Sequence, residues 1–287
     1  MTKAQPSEGA HASQEREDVE ELELELLLEG VYRRYGFDFR EYAPASLRRR
    51  VWRRVEADGA STITGLLEKL LHDPQTMERL LLDLSINVTA MFRDPTFYLA
   101  FRDKVVPILR TYPFTRIWVA GCSTGEEVYS LAILLHEEDI YDRTRIYATD
   151  INESVLELAR SGVFPLEKMQ EYTNNYIKSG GSRAFSEYYL AAYDGAQFDR
   201  SLTENVVFAQ HNLVSDRSFN EFNVIVCRNV MIYFDKSLQD RVHGLFYESL
   251  VNFGVLALGH KESIHFSRFE DRYEELDMGE KLYRKVA

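Results

Sequence analysis

Cysteine is scarce in this 287-residue chain. Only Cys122 and Cys227 occur, which excludes a disulfide scaffold and fits a reducing compartment. Long apolar runs are lacking as well. None reaches the roughly 18–20 residues that a membrane span requires, and stretches such as 224–227 are short. The N-terminus, MTKAQPSEGAHASQEREDVEELELE, is polar and acidic, unlike a signal or transit peptide. Cytoplasmic residence without membrane insertion is therefore the expectation. Positive charge is in deficit: 34 Lys and Arg stand against 46 Asp and Glu, a net of −12, which argues against a general nucleic-acid binder. What the chain does hold is apolar substance, 45% with 13% aromatics, enough for a packed core and too much for disorder throughout. The length suggests one large domain or a small one joined to a larger one.

Residues 1–18, rich in Ser, Ala, Gln and Glu, read as a disordered acidic tail. Leucines among glutamates over 19–30 suggest a helix ending at Gly30. Charge then changes sign: 1–30 carries nine acids and two bases, whereas 31–58 carries eight arginines and four acids. On a helix, Leu47, Val51 and Val55 fall within an arc of about 80°. Arg49, Arg50, Arg53 and Arg54 take the opposite arc, giving one buried stripe and one basic face. Further helical signals over 62–72 and 73–86 make 19–85 a small all-α domain, followed by a linker over 86–95. A helix is expected over 96–111. Strands over 116–120, 145–149, 206–210, 223–227, 255–259 and 281–286 then alternate with helices over 125–138, 151–160 and 236–252. This alternation over 96–287 indicates an α/β domain with a doubly wound, mostly parallel sheet. The stretch 178–205, with its Asp194-Gly195 turn signal, reads as a small β insertion.

Four segments carry candidate chemistry. WVAGCSTGEEVYS (118–130) runs a strand into a glycine turn at Gly121 that opens a helix. It lacks the dinucleotide and phosphate-loop spacings, and Glu126 and Glu127 at the helix start would repel a phosphate, so a cationic or hydroxyl-rich ligand fits better. A plain helix start with favourable acids is the alternative. Asp150 ends the strand RIYATD, where an acid can accept hydrogen bonds from ribose hydroxyls, or can cap the next helix. FNVIVCRNVMIYF (222–234) delivers Arg228 and Asn229 to the same sheet edge, with Cys227 reading as a small buried filler. SINVTAMFRDP (85–95) places Asn87, Thr89 and Arg93 in the linker, where ordinary linker polarity is also a sufficient reading.

In this order the four segments resemble the chemotaxis receptor methyltransferase (CheR) family, with its motifs N-x-T-x-F-F-R-[DE], [AG]-x-S-x-G-E-E-P-Y-S, A-[ST]-D-I and C-R-N-V-x-I-Y-F. The resemblance implies a Rossmann-like class I fold, S-adenosylmethionine as cofactor with S-adenosylhomocysteine as product, and methyl esterification of glutamates on the cytoplasmic helices of chemoreceptors. Carried over by position, the cofactor contacts would be Asn87, Thr89, Arg93, Gly121, Glu127, Asp150, Asn212, Leu213, Arg228 and Asn229. Arg93 and Tyr233 would stand beside the transferred methyl, and no metal is implied. The basic face of Arg49, Arg50, Arg53 and Arg54 would meet an acidic receptor helix. The β insertion is where some members bind a receptor's C-terminal tether, and a monomer is the family's usual state. Met91 replaces the family's usual Phe, Val128 its Pro, and Lys261 the Ser of GHSES. The first two read as packing changes and the third as an altered substrate rim. Two other readings share the motifs: the same chemistry on a non-chemotaxis signalling protein, and a non-catalytic cofactor sensor. A nucleic-acid methyltransferase would carry a [DN]-P-P-[YF]-like motif in place of Arg228-Asn229-Val230-Met231.

Overall fold

The computed structural model describes residues 8–85, 89–192, 195–265 and 267–286. It divides into two compact units, Met1–Ile86 and Asn87–Ala287. The first is helical: α1 Glu8–Tyr35, α2 Pro44–Ala57, α3 Ile63–His72 and α4 Pro74–Leu84. Thr62 caps α3 by accepting the Gly65 N–H, and Asp73 caps α4 by accepting that of Gln75. Leu47, Val51 and Val55 are buried as the helical period requires, with Leu27, Val31, Leu66 and Leu80. Helix α1 is longer than its sequence suggests. It begins at Glu8, inside the stretch expected to be a disordered tail, and runs through Gly30 until Gly36 turns left-handed at φ +80°. A Cβ on Gly30 would lie 2.7 Å from Leu67 Cδ1, so this glycine admits a side chain of α3 and does not end the helix.

The second unit opens with α5 Pro95–Ala100, a π turn Phe101–Val105 and α6 Val106–Leu109. Pro107 has no N–H to continue an α ladder, and the helix expected over 96–111 changes its bonding there. There follow β1 Thr115–Ala120, α7 Glu126–Glu137, β2 Thr144–Asp150, α8 Glu153–Ser161, β3 Val163–Phe164, α9 Met169–Lys178, β4 Tyr189–Ala192, β5 Gly195–Phe198, β6 Val206–Gln210, β7 Phe222–Cys227, α10 Lys236–Ser249, β8 Leu250–Leu258, β9 Tyr273–Asp277 and β10 Leu282–Lys285. Seven strands form one sheet in the order β6-β2-β1-β7-β8-β10-β9. The first five are parallel, and β10 runs antiparallel to both β8 and β9. Strand β7 is buried over its whole length, as expected of a strand covered on both faces.

The small antiparallel sheet, β3-β5-β4, takes β3 from ahead of the expected insertion; Asp194 of the Asp194-Gly195 turn signal lies outside the described residues. Met91 and Val128 are fully buried, consistent with packing replacements.

Candidate active site

The sheet's chain order reverses between β1 and β7, and ligands of open α/β sheets bind outside the strand ends at such a point. A cleft with about 420 Å³ of empty space lies there. Gly121, Cys122 and Ser123 line it from the turn after β1, Glu127 from α7, Arg228, Asn229 and Val230 from the loop after β7, and Thr89, Ala90 and Arg93 from the segment before α5. Gly121 holds φ +76°, and a Cβ there would sit 2.5 Å from Val230 Cγ2. Glycine thus lets the two loops close on each other.

Arg228 is buried and organises one wall. Its Nη1 lies 2.6 Å from Glu127 Oε1, its Nη2 2.8 Å from Asp94 Oδ2, and its guanidinium 4.0 Å over the Phe97 ring. Nη2 also donates to the Arg93 carbonyl at 3.3 Å, which fixes the backbone carrying Arg93. Of the two glutamates opening α7, Glu127 lines the cleft. Glu126 is buried, bonded to Thr124 and Tyr172, and burial raises its pKa.

Asp150 is buried at the end of β2. Its Oδ2 accepts the Ser123 N–H at 2.9 Å and its Oδ1 the Asn152 N–H at 3.0 Å, and burial raises its pKa. The cap of α8 is Asn152, which accepts the Ser154 N–H, so Asp150 does not serve as that cap. Strand β6 pairs with β2 so that Gln210 faces Asp150, and His211 N–H donates to the Asp150 carbonyl at 3.1 Å. Asn212 and Leu213 follow directly, half-buried, outside the cleft lining. Tyr233 is half-buried on the short turn Met231–Tyr233, beyond the lining residue Val230. Asn87 lies outside the described residues. Burial pushes both thiols, Cys122 and Cys227, well up, which suits inert fillers.

Two residues of this region escaped the sequence reading. Asp94 partners Arg228, as above. Glu262 is buried and accepts four backbone N–H groups, from Asn229 (2.8 Å), Val230 (2.8 Å), Met231 (2.8 Å) and Gly259 (2.7 Å). The only signal for it was its place in GHKES. Backbone strain gathers here too: Phe92, Asp94, Ser123 and Asn229 all have φ between 50° and 64°. Side chains rarely adopt that region, and functional sites are where such strain concentrates.

The family model "CheR methyltransferase, SAM binding domain" matches residues 87–281, and "CheR methyltransferase, all-alpha domain" matches 22–85. The chain belongs to the CheR methyltransferase family. Cher3 of Pseudomonas putida is 50% identical over 265 residues, covering 92% of this chain and 97% of Cher3. The chemotaxis protein methyltransferase 2 of Pseudomonas aeruginosa is 31% identical, covering 88% of this chain and 89% of its own. The chemotaxis protein methyltransferase of Escherichia coli is 30% identical, covering 85% and 84%.

This CheR protein is accordingly an S-adenosylmethionine-dependent methyltransferase with a Rossmann-like sheet and an all-α N-terminal domain. Its cleft fits that cofactor. Glu127 and Arg228 set an anion beside a cation, the complement of an amino-acid end, and a buried carboxylate stands at the end of β2. No helix among the described residues of this CheR protein is long and apolar enough to cross a membrane.

Proposed function

We propose that the protein methylates glutamate carboxylates on chemoreceptor cytoplasmic helices, as a protein-glutamate O-methyltransferase of the cytoplasm. The observation carrying this reading is that the described residues lining the cleft offer no general base. They include no histidine or lysine, the lining carboxylate Glu127 is paired with Arg228, and the Cys122 thiol is held protonated by burial. An alcohol or amine acceptor would need a proton removed. A glutamate, with a reference pKa of about 4.3, is ionised at neutral pH and needs none. The names of the chemotaxis relatives agree with a protein of chemotaxis as the substrate.

Within this reading, S-adenosylmethionine supplies a methyl group activated by its sulfonium. Asp150 takes the ribose hydroxyls, helped by Asn212 and Leu213. Glu127 and Arg228 take the amino-acid end, and Thr89, Gly121 and Asn229 complete the enclosure. Arg93 holds the acceptor carboxylate through a charge-assisted hydrogen bond, and Tyr233 orients it through its hydroxyl. The docking face narrows to Arg49 and Arg53, the two exposed members of the basic quartet, although Arg53 also pairs with Asp83 at 2.6 Å. Arg50 is buried and donates to the Leu84 carbonyl, and Arg54 is engaged by Asp83 and Asp58. In the small sheet β4 pairs with β5 alone, and its outer edge is the place for a receptor tether added as a further strand.

Calorimetric titration with S-adenosylmethionine and S-adenosylhomocysteine tests the cleft. One-site binding that weakens at least tenfold in Asp150→Ala is the expected result. Transfer of radiolabelled methyl to receptor fragments, released by alkali as methanol, then tests the ester. No base-labile label on any receptor fragment overturns the glutamate assignment.

A further inference from the structure

Arg93 stands between two residues in a costly backbone conformation. Phe92 and Asp94 are both left-handed, at φ +51° and +55°. Residues with side chains persist there only where their surroundings enforce it. Phe92 is fully buried, as is Met91 before it.

The enforcing contacts converge on one peptide unit, that joining Met91 to Phe92. Its carbonyl, on Met91, accepts from Asn175 Nδ2 of α9 at 3.1 Å. Its N–H, on Phe92, donates to Ser130 Oγ of α7 at 2.8 Å. The Ser130 hydroxyl is itself oriented, because it donates its hydrogen to the Glu126 carbonyl at 2.6 Å. Its oxygen therefore meets Phe92 as an acceptor, and the Asn175 amide meets Met91 as a donor. Turning the peptide over would let Phe92 relax. It would also set a carbonyl against the Ser130 oxygen and an N–H against the Asn175 amide group, leaving both ends unpaired in a buried place. The Phe92 ring is held too, with the rings of Tyr98 and Tyr176 at 5.0 and 5.2 Å. Beyond Arg93, the bond from Arg228 to the Arg93 carbonyl fixes the next peptide. Arg93 lines the cofactor cleft, whereas Asn175 and Ser130 do not.

We propose that Asn175 and Ser130 are positioning residues for methyl transfer: by gripping both ends of the Met91–Phe92 peptide they hold Phe92 left-handed and so set the direction in which Arg93 enters the cleft. This rests on the reading above in which Arg93 holds the acceptor carboxylate. It makes α9, the helix between β3 and β4, part of what aligns the acceptor, although it lies outside the cleft lining.

The test compares the full chain with Asn175→Ala, Asn175→Asp and Ser130→Ala. Amide hydrogen exchange at Phe92, followed by NMR, reads the grip directly. Asn175 does not bond that N–H, so its loss speeds exchange there only if the two bonds act on one unit. Exchange about tenfold faster, relative to the amides of β7, is expected in each variant. On receptor fragments kcat is expected to fall about tenfold, with calorimetric affinity for S-adenosylmethionine kept within about twofold. A merely structural contact would lower the unfolding temperature and leave kcat of the folded protein as it was. Unchanged exchange at Phe92 in the Asn175 variants, or faster exchange with kcat intact, overturns the proposal. If the unaltered enzyme transfers no methyl to receptor fragments, the glutamate assignment fails, and exchange at Phe92 still decides whether the peptide is gripped as a unit.

Discussion

At the scale of single residues, Glu262 shows how one carboxylate can shape a site it does not enter. Its two oxygens collect the N–H groups of three successive residues, Asn229 to Met231, and that of Gly259. Asn229 is held at φ +64°, a conformation costly for a side-chain-bearing residue unless its surroundings over-determine it. Gly259 makes room: a Cβ there would lie 2.7 Å from Glu262 Oε2 and 2.9 Å from Asn229 N. Burial pushes the Glu262 carboxyl up, and the four donors oppose that shift by favouring the charged form. Glu262→Ala strands four donors and is expected to destabilise the protein by about 3 kcal/mol. It should also weaken S-adenosylmethionine binding, because Asn229 lines the cofactor cleft and loses its hold. Calorimetry combined with thermal unfolding checks both effects. Full cofactor affinity in a folded Glu262→Ala protein would remove Glu262 from this role.

At the scale of elements, α2 separates two meanings of an arginine. With Leu47 at zero and about 100° per residue, Arg49 and Arg53 fall near 200° and 240°, opposite the buried stripe. Arg50 and Arg54 fall near 300° and 340°, at its border. The structure follows this finer division, with Arg50 buried against the Leu84 carbonyl and Arg54 bridging Asp58 and Asp83. Arg50→Ala is therefore expected to cost about 2 kcal/mol in urea unfolding. Arg49→Glu leaves unfolding nearly unchanged, Arg53→Glu adds the loss of its exposed ion pair with Asp83, about 1 kcal/mol at most, and both weaken receptor-fragment binding, an effect that shrinks as salt rises. If Arg49→Glu moves stability as much as Arg50→Ala, the division is wrong. The same contrast explains what could be read in the sequence. Strands β1, β2 and β7 announce themselves as apolar runs closed by turn residues, because burial on both faces writes itself into composition. Strand β9, YEELD, is the exposed edge of the sheet and carries no such signature. The passage of α1 through Gly30 and the four-way grip of Glu262 depend on partners distant in sequence, Leu67 and the loop after β7. The cleft residues were legible for a different reason: the motifs keep residue types at strand ends, where the topology gathers them.

At the scale of the whole molecule, pH acts on buried groups of two kinds. Burial raises the carboxyl pKa values of Glu126, Asp150 and Glu262, so the folded state takes up protons at these sites as pH falls. Burial lowers the pKa values of His136, His211 and His243. For these histidines the unfolded chain binds protons first, beginning near pH 6.5, and stability is lost as pH falls from there through the lowered folded values. The two groups oppose each other in the total slope, so a single variant isolates one contribution. His211 suits this purpose. It packs against Trp118 and Phe219, with ring centroids 5.1 and 5.2 Å away, and bonds only weakly to the Arg217 carbonyl at 3.3 Å. His211→Gln removes one titrating group and leaves every carboxyl in place, so their contributions cancel in the difference between the two proteins. Urea unfolding at intervals between about pH 6.5 and 5 is expected to show a less positive slope of stability against pH in the variant. Parallel slopes would mean that His211 titrates alike in the folded and unfolded chains, and that the ring is wetter than its aromatic surroundings imply.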